Sequence, residues 1–311
     1  MRVATHPGGF HADDVFAVAA LRLAHPDEQI EVVRTRDAAR QAAADVRVDV
    51  GGRDDASTGD FDHHQKGGAG ERPNGIRYAS FGLVWRAFGA AICGGSQEAA
   101  DGIDERLVQG VDANDTGQTI MESLVDGVRP MTVSGVVGAL NPSWDERLDQ
   151  AEEDARFAEA VAVAQGILER QVAGAAGFQR ARELVRAAIA AAAADGGDPR
   201  VVELSSNMPW RETMVNEAPD ARLVVYPKSD GWGMVAVPVA PGAFDNRMDL
   251  PAAWAGLTGD ELAAATGVDD ALFAHTARFY ASAGSREGVL ALARAALADA
   301  DGEADSADAA A

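Results

Sequence analysis

Histidine is scarce in this chain, six in 311 residues, yet four of the six stand in two short clusters beside aspartates. The first cluster is Thr5-His6-Pro7-Gly8-Gly9-Phe10-His11-Ala12-Asp13-Asp14, two imidazoles and two carboxylates around a Gly-Gly turn. The second is Phe61-Asp62-His63-His64-Gln65-Lys66, an anion beside two neutral ring donors. Between them, Val46-Arg47-Val48-Asp49-Val50-Gly51-Gly52 sets an aspartate in a run of valines. Burying a charge without a partner is costly, so something cationic should meet Asp49. Val111-Asp112-Ala113-Asn114-Asp115-Thr116-Gly117 adds two carboxylates near a turn.

Each piece also has a plain reading. Asp13 and Asp14 suit a helix N-cap, Asp49 a turn, and 111–117 a polar loop. Together they point to metal chemistry. One metal needs about four to six such groups. Seven or eight suggest two metals sharing a bridging carboxylate, about 3.5–4 Å apart. Mixed imidazole and carboxylate ligands suit Mn²⁺, Fe²⁺ or Zn²⁺ better than Mg²⁺ alone. Such a pair lowers the pKa of a bound water and clamps phosphate oxygens during in-line attack. The cations also reverse a local field that would otherwise repel an anionic substrate.

The elements that must position these groups alternate. Val3-Ala4 is a short apolar piece ending at His6. Residues 14–23 read as a buried helix with Pro26 beyond its end. Residues 30–33 read as a strand, 37–44 as a helix, and 46–50 as a strand closed by Gly51-Gly52. This order predicts a parallel sheet with right-handed crossovers. Ligands then sit at strand carboxyl ends, where His6 and Asp49 stand. Helices are expected over 81–88 and 98–111, and two or more over 147–194, before a break at Asp195-Gly196-Gly197-Asp198-Pro199. Strand-like pieces follow at 201–204, 221–226 and 233–239. Next come a helix over 259–266, the segment 271–275, and a last helix over 286–298. The tail 299–311 carries five acids and no large apolar side chain and reads as disordered. The expected fold is α/β: a parallel-sheet catalytic domain (1–146), a helical connector (147–195) and a smaller α+β substrate-binding domain (196–298).

Lys+Arg is 27 and Asp+Glu is 49, a net charge of −22. That excludes coating nucleic acid through a general positive field, or docking on anionic membranes. It favours short oligonucleotides or nucleotides over stable duplex binding. Lys66, Arg72, Arg77, Arg211, Lys228 and Arg247 could still form a local basic rim. Of five tryptophans, any of which could stack a base, Trp85 and Trp144 read as core. A single cysteine, Cys93, excludes a disulfide framework and a thiolate-rich zinc site, and fits a reducing cytoplasm. The start of the chain has no apolar signal core, and the low-polarity run 187–194 is far short of a span of about 20 residues. The reading is a cytoplasmic protein of open oligomeric state, a homodimer among the options.

Asp62-His63-His64 resembles the signature triplet of the DHH phosphoesterase superfamily, which includes RecJ-type exonucleases, family II pyrophosphatases and nano-RNA phosphodiesterases. The closer resemblance is to the Myg family (melanocyte proliferating gene type), metal-dependent hydrolases described in eukaryotes as 3′–5′ RNA exonucleases. The strings that carry it include Phe10-His11-Ala12-Asp13, Val48-Asp49-Val50-Gly51-Gly52, Phe61-Asp62-His63-His64-Gln65-Lys66, Ser80-Phe81-Gly82-Leu83-Val84, Asn141-Pro142-Ser143-Trp144, Pro209-Trp210 and Phe273-Ala274-His275. It runs from residue 1 to about 298.

The resemblance implies a DHH-like catalytic domain in which His6, His11, Asp13, Asp49, His63 and one of Asp112 or Asp115 hold metal, with Asp49 bridging. It implies two Mn²⁺ ions, with Zn²⁺, Fe²⁺ or Mg²⁺ as alternatives. His64 would face the substrate phosphate as a catalytic residue, with Asp62 beside it. Lys66, Ser80, Arg247 and His275 would bind substrate. Relatives carry a glycine pair where this chain has Ala281-Ser282, so a backbone contact to phosphate is in question there. The implied activity is phosphodiester hydrolysis in short RNA or oligonucleotides. The alternatives are a small-molecule phosphatase or pyrophosphatase, and a metal-binding regulatory protein without turnover.

Overall fold

The computed structural model describes residues 1–194 and 198–308. Its chain forms two compact units, Met1–Ala176 and a second from Gly177 onward. The first unit opens with strand β1 (Arg2–Thr5), helix α1 (Ala12–Ala24), strand β2 (Glu31–Arg34), helix α2 (Ala38–Ala42) and strand β3 (Val46–Val48). Strands β4 (Asp54–Asp55) and β5 (Asp60–Phe61) follow. The sheet order is β2-β1-β3-β5-β4, parallel except for β4. The α/β expectation therefore holds, and the carboxyl ends of β1, β3 and β5 lie side by side.

Helix α1 is buried from Ala12 to Leu21. A helix apolar almost all round belongs in a core. It packs on helix α3 (Ser80–Ile92), with the Phe16 and Phe81 rings 5.2 Å apart. Asp14 caps α1 by accepting the His11 backbone N–H at 3.0 Å. Trp85, expected in the core, is buried and donates its Nε1–H to Ala100 O at 3.0 Å. The helix read over 98–111 is α4 (Gln97–Ile103) and α5 (Gln109–Asp115), joined by a π-helical turn, Asp104–Val108. Helix α6 (Val133–Gly138) follows.

Helix α7 (Gln150–Ala192) is one helix of 43 residues, where two or more were expected. Its interior glycines, Gly166, Gly174 and Gly177, cost only about 1 kcal/mol each against alanine and do not stop it. The expected break at Asp195-Gly196-Gly197 lies outside the described residues.

The second unit adds β6 (Val201–Glu203), α8 (Arg211–Glu217), β7 (Leu223–Lys228), β8 (Gly231–Ala236), α9 (Gly259–Thr266), β9 (Ala271–Ala274), β10 (Tyr280–Ala283) and α10 (Arg286–Asp308). Its sheet runs β6-β7-β8-β10-β9, with only β6 and β7 parallel. Alternate residues of β7 serve two cores. Leu223 and Val225 join Val289, Leu292 and Ala296 of α10. Val224 and Tyr226 join Trp210, Met214 of α8 and Val185 of α7.

Two expectations are corrected here. Residues 299–308 are helical within α10, where a disordered tail was read, and 309–311 lie outside the described residues. Trp144 is 88% exposed and not core. Ala281-Ser282 stands inside β10. Among the described residues no helix is long and apolar enough to cross a membrane.

Candidate metal centre

The three adjacent parallel strand ends deliver the chemistry. His6 follows β1 directly, Asp49 follows β3, and His63 and His64 stand just beyond β5. Asp13 and Asp14 sit in the first turn of α1, and Asp115 ends α5. Asp49 takes a left-handed backbone, φ +58°, which aspartate tolerates better than most side chains.

His6 Nε2 lies 3.3 Å from both Asp14 Oδ2 and Asp49 Oδ2. His63 Nε2 lies 3.1 Å from Asp49 Oδ1, 3.1 Å from Asp115 Oδ2 and 3.8 Å from Asp13 Oδ2. His11 Nδ1 is 3.4 Å from Asp115 Oδ1, and His64 Nδ1 is 3.4 Å from Asp49 Oδ1. Three overlapping sets each bring their ligand atoms within 4.8 Å: His6, His11 and Asp49; Asp49, His63 and His64; His11, Asp13 and Asp115. Asp49 belongs to two of them. Its Oδ2 faces His6 and its Oδ1 faces His63, the posture of a bridging carboxylate.

These residues could hold metal. His6 Nε2, His63 Nε2, Asp13 Oδ1 and Asp14 Oδ2 are buried and make no hydrogen bond of good geometry. Buried polar atoms are seldom left so, and here they converge. The electrostatics agree. Burial, then repulsion from Asp49 and Asp115, pushes the Asp13 carboxyl well up. Burial also raises Asp14. The flanking Asp14 and Asp49 carboxylates raise His6 to about 10. Burial opposes the charge on His63, but Asp115 and Asp49 outweigh it and carry the ring to about 10. Asp49 and Asp115 are likewise opposed by burial, yet their imidazole neighbours hold them below the ordinary carboxylate range. Protons on imidazole thus stand in for the positive charge that a metal would bring.

A layer of hydrogen bonds fixes the cluster. Ser80 Oγ donates to Asp49 Oδ1 at 3.1 Å, and Ser80 N–H donates to Asp13 Oδ2 at 3.3 Å. Asp62 Oδ1 accepts from the His64 backbone N–H at 3.1 Å and pairs with its Nδ1 at 2.8 Å. Asp62 Oδ2 accepts the Gly52 N–H at 2.6 Å.

Several expected roles move on this geometry. Ser80 is fully buried behind the carboxylates and not at a substrate-facing surface. Asp62 is buried too, and it orients His64. Of the two alternatives on α5, Asp115 joins the cluster. Asp112 instead pairs with Arg72 at 2.9 Å and accepts the Gly82 N–H at 3.0 Å. Burial pushes the Asp112 carboxyl up to about 7 against the pull of Arg72. Arg72, read as part of a basic rim, is buried between Asp104 and Asp112. In the second unit, Arg247 spends its guanidinium on the carbonyls of Val215, Ala218, Pro219 and Ala221, which closes the turn after α8. His275 Nδ1 accepts the Ala277 N–H at 3.0 Å in a turn. Lys66 is exposed, as are His11 and His64, each 62% exposed at the side chain. Those two rings form the open face. Asp14, which the sequence offers with Asp13 as a carboxylate of the first cluster or as a helix cap, also faces His6, a contact that the family resemblance does not imply.

Comparison with known proteins gives one family match. Residues 2–297 match the model described as "Uncharacterised protein family (UPF0160)", MYG1_exonuc. The chain is 32% identical to the MYG1 exonuclease of Homo sapiens over 327 residues, covering 96% of this chain and 86% of the human one. It is 32% identical to the MYG1 exonuclease of Bos taurus over 324 residues, 96% of this chain and 84% of the relative. A MYG1 protein of Saccharomyces cerevisiae is 29% identical over 324 residues, 96% of each chain. No solved structure matches.

Proposed function

The chain belongs to the MYG1 exonuclease family (UPF0160), and from that premise we propose that it is a metal-dependent phosphoesterase. Its substrates would be short oligonucleotides, RNA foremost, degraded 3′ to 5′, with two Mn²⁺ ions as the working cofactor. The single observation that carries this reading is Asp49, which turns one oxygen to His6 and the other to His63. The names of the mammalian relatives support nuclease chemistry. His6, His11, Asp13, Asp49, His63 and Asp115 would hold the ions, with Asp14 against His6. When bound, such ions activate water and neutralise the phosphate charge of an in-line displacement.

The chain's own residues do the rest. Ser80 holds Asp49 and Asp13 in place before any ligand arrives, so little reorganisation remains for the reaction. Asp62 pins His64 through Nδ1, which leaves Nε2 on the exposed side for a phosphate oxygen. A protonated His64 can donate there, or pass its proton to the leaving oxygen. The net charge of −22 opposes long duplexes and suits short, diffusing substrates.

The test is a substrate panel with Mn²⁺: short RNA, short DNA, a dinucleotide and pyrophosphate, with Asp49→Ala as control and metal content measured on both proteins. The expected result is mononucleotide release by the unaltered chain and a loss of about 10²–10³ or more in the variant. Equal turnover by the two proteins, or none from any phosphodiester, would refute the reading. Turnover of pyrophosphate alone would replace it with a small-molecule phosphatase.

A further inference from the structure

The second unit contains a cavity of about 490 Å³ on the face of its sheet opposite α10. That size falls in the range of about 300–1,000 Å³ that holds small organic ligands. Its walls combine two chemistries. Trp210 and Tyr226 are set rigidly in the core, 6% and 8% exposed, and contribute flat aromatic surface. Phe178 of α7 stands at the same cavity, 62% exposed, so much of its ring is accessible to a ligand. The other side is cationic. The Arg211 guanidinium lies 5.5 Å over the Trp210 ring and pairs with no carboxylate among the described residues. Arg182 also lines the cavity, and Glu212 is the one acid there. Asn207 offers an amide that both donates and accepts.

In a chain with 22 excess negative charges, a cavity that presents the Arg211 guanidinium beside aromatic walls favours an anion. Aromatic walls next to that charge select an anion carrying a flat ring. We propose that this cavity is a nucleotide-binding site, separate in its chemistry from the metal cluster, with the base stacked on Phe178 and the Trp210–Tyr226 wall and the phosphate on Arg211. The choice of a nucleotide over other aromatic anions rests on the function proposed above; the existence of the site does not. The occupant is a free mononucleotide or the terminal unit of an oligonucleotide, which share this chemistry.

The experiment uses the full chain in EDTA, so that the metal cluster takes no part. AMP, adenosine, ribose 5-phosphate and a non-hydrolysable RNA trinucleotide are titrated against tryptophan fluorescence and checked by calorimetry. Phe178→Ala and Arg211→Gln, both at exposed positions, should fold normally. AMP should bind the unaltered chain and lose about tenfold or more in each variant, since one stacked base contributes about 1–3 kcal/mol. Adenosine and ribose 5-phosphate should each bind more weakly than AMP. Asp49→Ala should bind AMP as the unaltered chain does, which keeps this test distinct from the failure of the hydrolytic reading. Binding of the trinucleotide as well as AMP identifies a terminal unit; binding of AMP alone identifies a free nucleotide. Absence of binding by AMP and trinucleotide at millimolar concentration, or equal binding by both cavity variants, would overturn the proposal.

Discussion

The side-chain amide of Asn141 grips the backbone of Phe10 on both sides, its Oδ1 accepting the Phe10 N–H at 2.9 Å and its Nδ2 donating to Phe10 O at 2.9 Å. The two residues are 131 positions apart in the chain. Arg34 holds the same loop by donating to Gly8 O. Its guanidinium stacks 4.9 Å from the Phe157 ring of α7. The loop between His6 and His11 is therefore clamped by two side chains that touch no ligand atom. Asn141→Ala removes both bonds and should cost about 1–3 kcal/mol. It should weaken Mn²⁺ binding about 10–100-fold, the usual effect of losing a group that orients a ligand. Asn141→Asp keeps only the accepting half and should fall between. Calorimetric metal titration beside a thermal melt checks this. A variant that melts early yet binds Mn²⁺ normally would make Asn141 a purely structural residue.

Protons and metal compete for the same imidazoles. His6 and His63 rise from an ordinary 6.5 to about 10 without metal. A raised histidine contributes stability that is fully present below about pH 6.5 and is lost as pH climbs towards 10. Asp49 and Asp115 work in the opposite sense; their contribution is present above the ordinary carboxylate range and lost only in acid. Between pH 6.5 and 10 the metal-free chain should thus lose stability steadily. Metal affinity should climb over the same window, about tenfold per pH unit for each proton displaced. Melts in EDTA and in Mn²⁺ from pH 5 to 9.5 should diverge as pH rises. A constant gap between the two curves would show that His6 and His63 are not the groups displaced.

Asp112 and Asp115 sit one helical turn apart on α5 and should fail differently. Asp115→Ala removes an oxygen that faces His11 and His63, and should lower metal content while the chain stays folded. Asp112→Ala leaves Arg72 buried beside Asp104 alone, and breaking a buried pair typically costs about 3–5 kcal/mol. Its loss should appear first in the melting temperature. Elemental analysis of both purified variants separates them, and the reverse pattern would return the ligand role to Asp112.

Much of this arrangement is legible in sequence because the elements involved are short and strictly alternating. His6 and Asp49 each follow a strand that the sequence shows, and parallel strands in one sheet bring their carboxyl ends together. What stays hidden depends on distant parts of the chain. Asn141 appears only in a string that carries the family resemblance, and nothing local announces Phe10 as its partner. Arg247 reads as a free cation, because the carbonyls that consume it come from a turn about 30 residues earlier and face inward only once α8 is packed. Trp144 reads as core by residue type alone. Strands of two residues, such as β4 and β5, fall below any periodicity that a pattern could register.

Gly82 tests the support beneath the site. It stands in the first turn of α3, and an added Cβ would come within 1.9 Å of Asp112 Oδ2 and 2.8 Å of Arg72 Nη2. In an exposed helix, glycine to alanine gains about 1 kcal/mol. Here the gain is overtaken, because the carboxylate cannot retreat without leaving Arg72 and the Gly82 N–H. Overpacking of this kind costs about 1–3 kcal/mol, and the strained ion pair adds to it. Gly82→Ala should therefore destabilise the chain by about 2 kcal/mol or more. Because Asp112 and Asp115 share a helix, and Ser80 precedes Gly82 by two residues, the same change should disturb Asp115 and Asp49 and lower metal affinity. Gly89→Ala, on the same helix but against the Trp85 ring at 2.9 Å, is the control. It should destabilise through packing and leave metal affinity unchanged. If the two variants shift metal binding equally, the Arg72–Asp112 pair does not carry the position of α5 to the site.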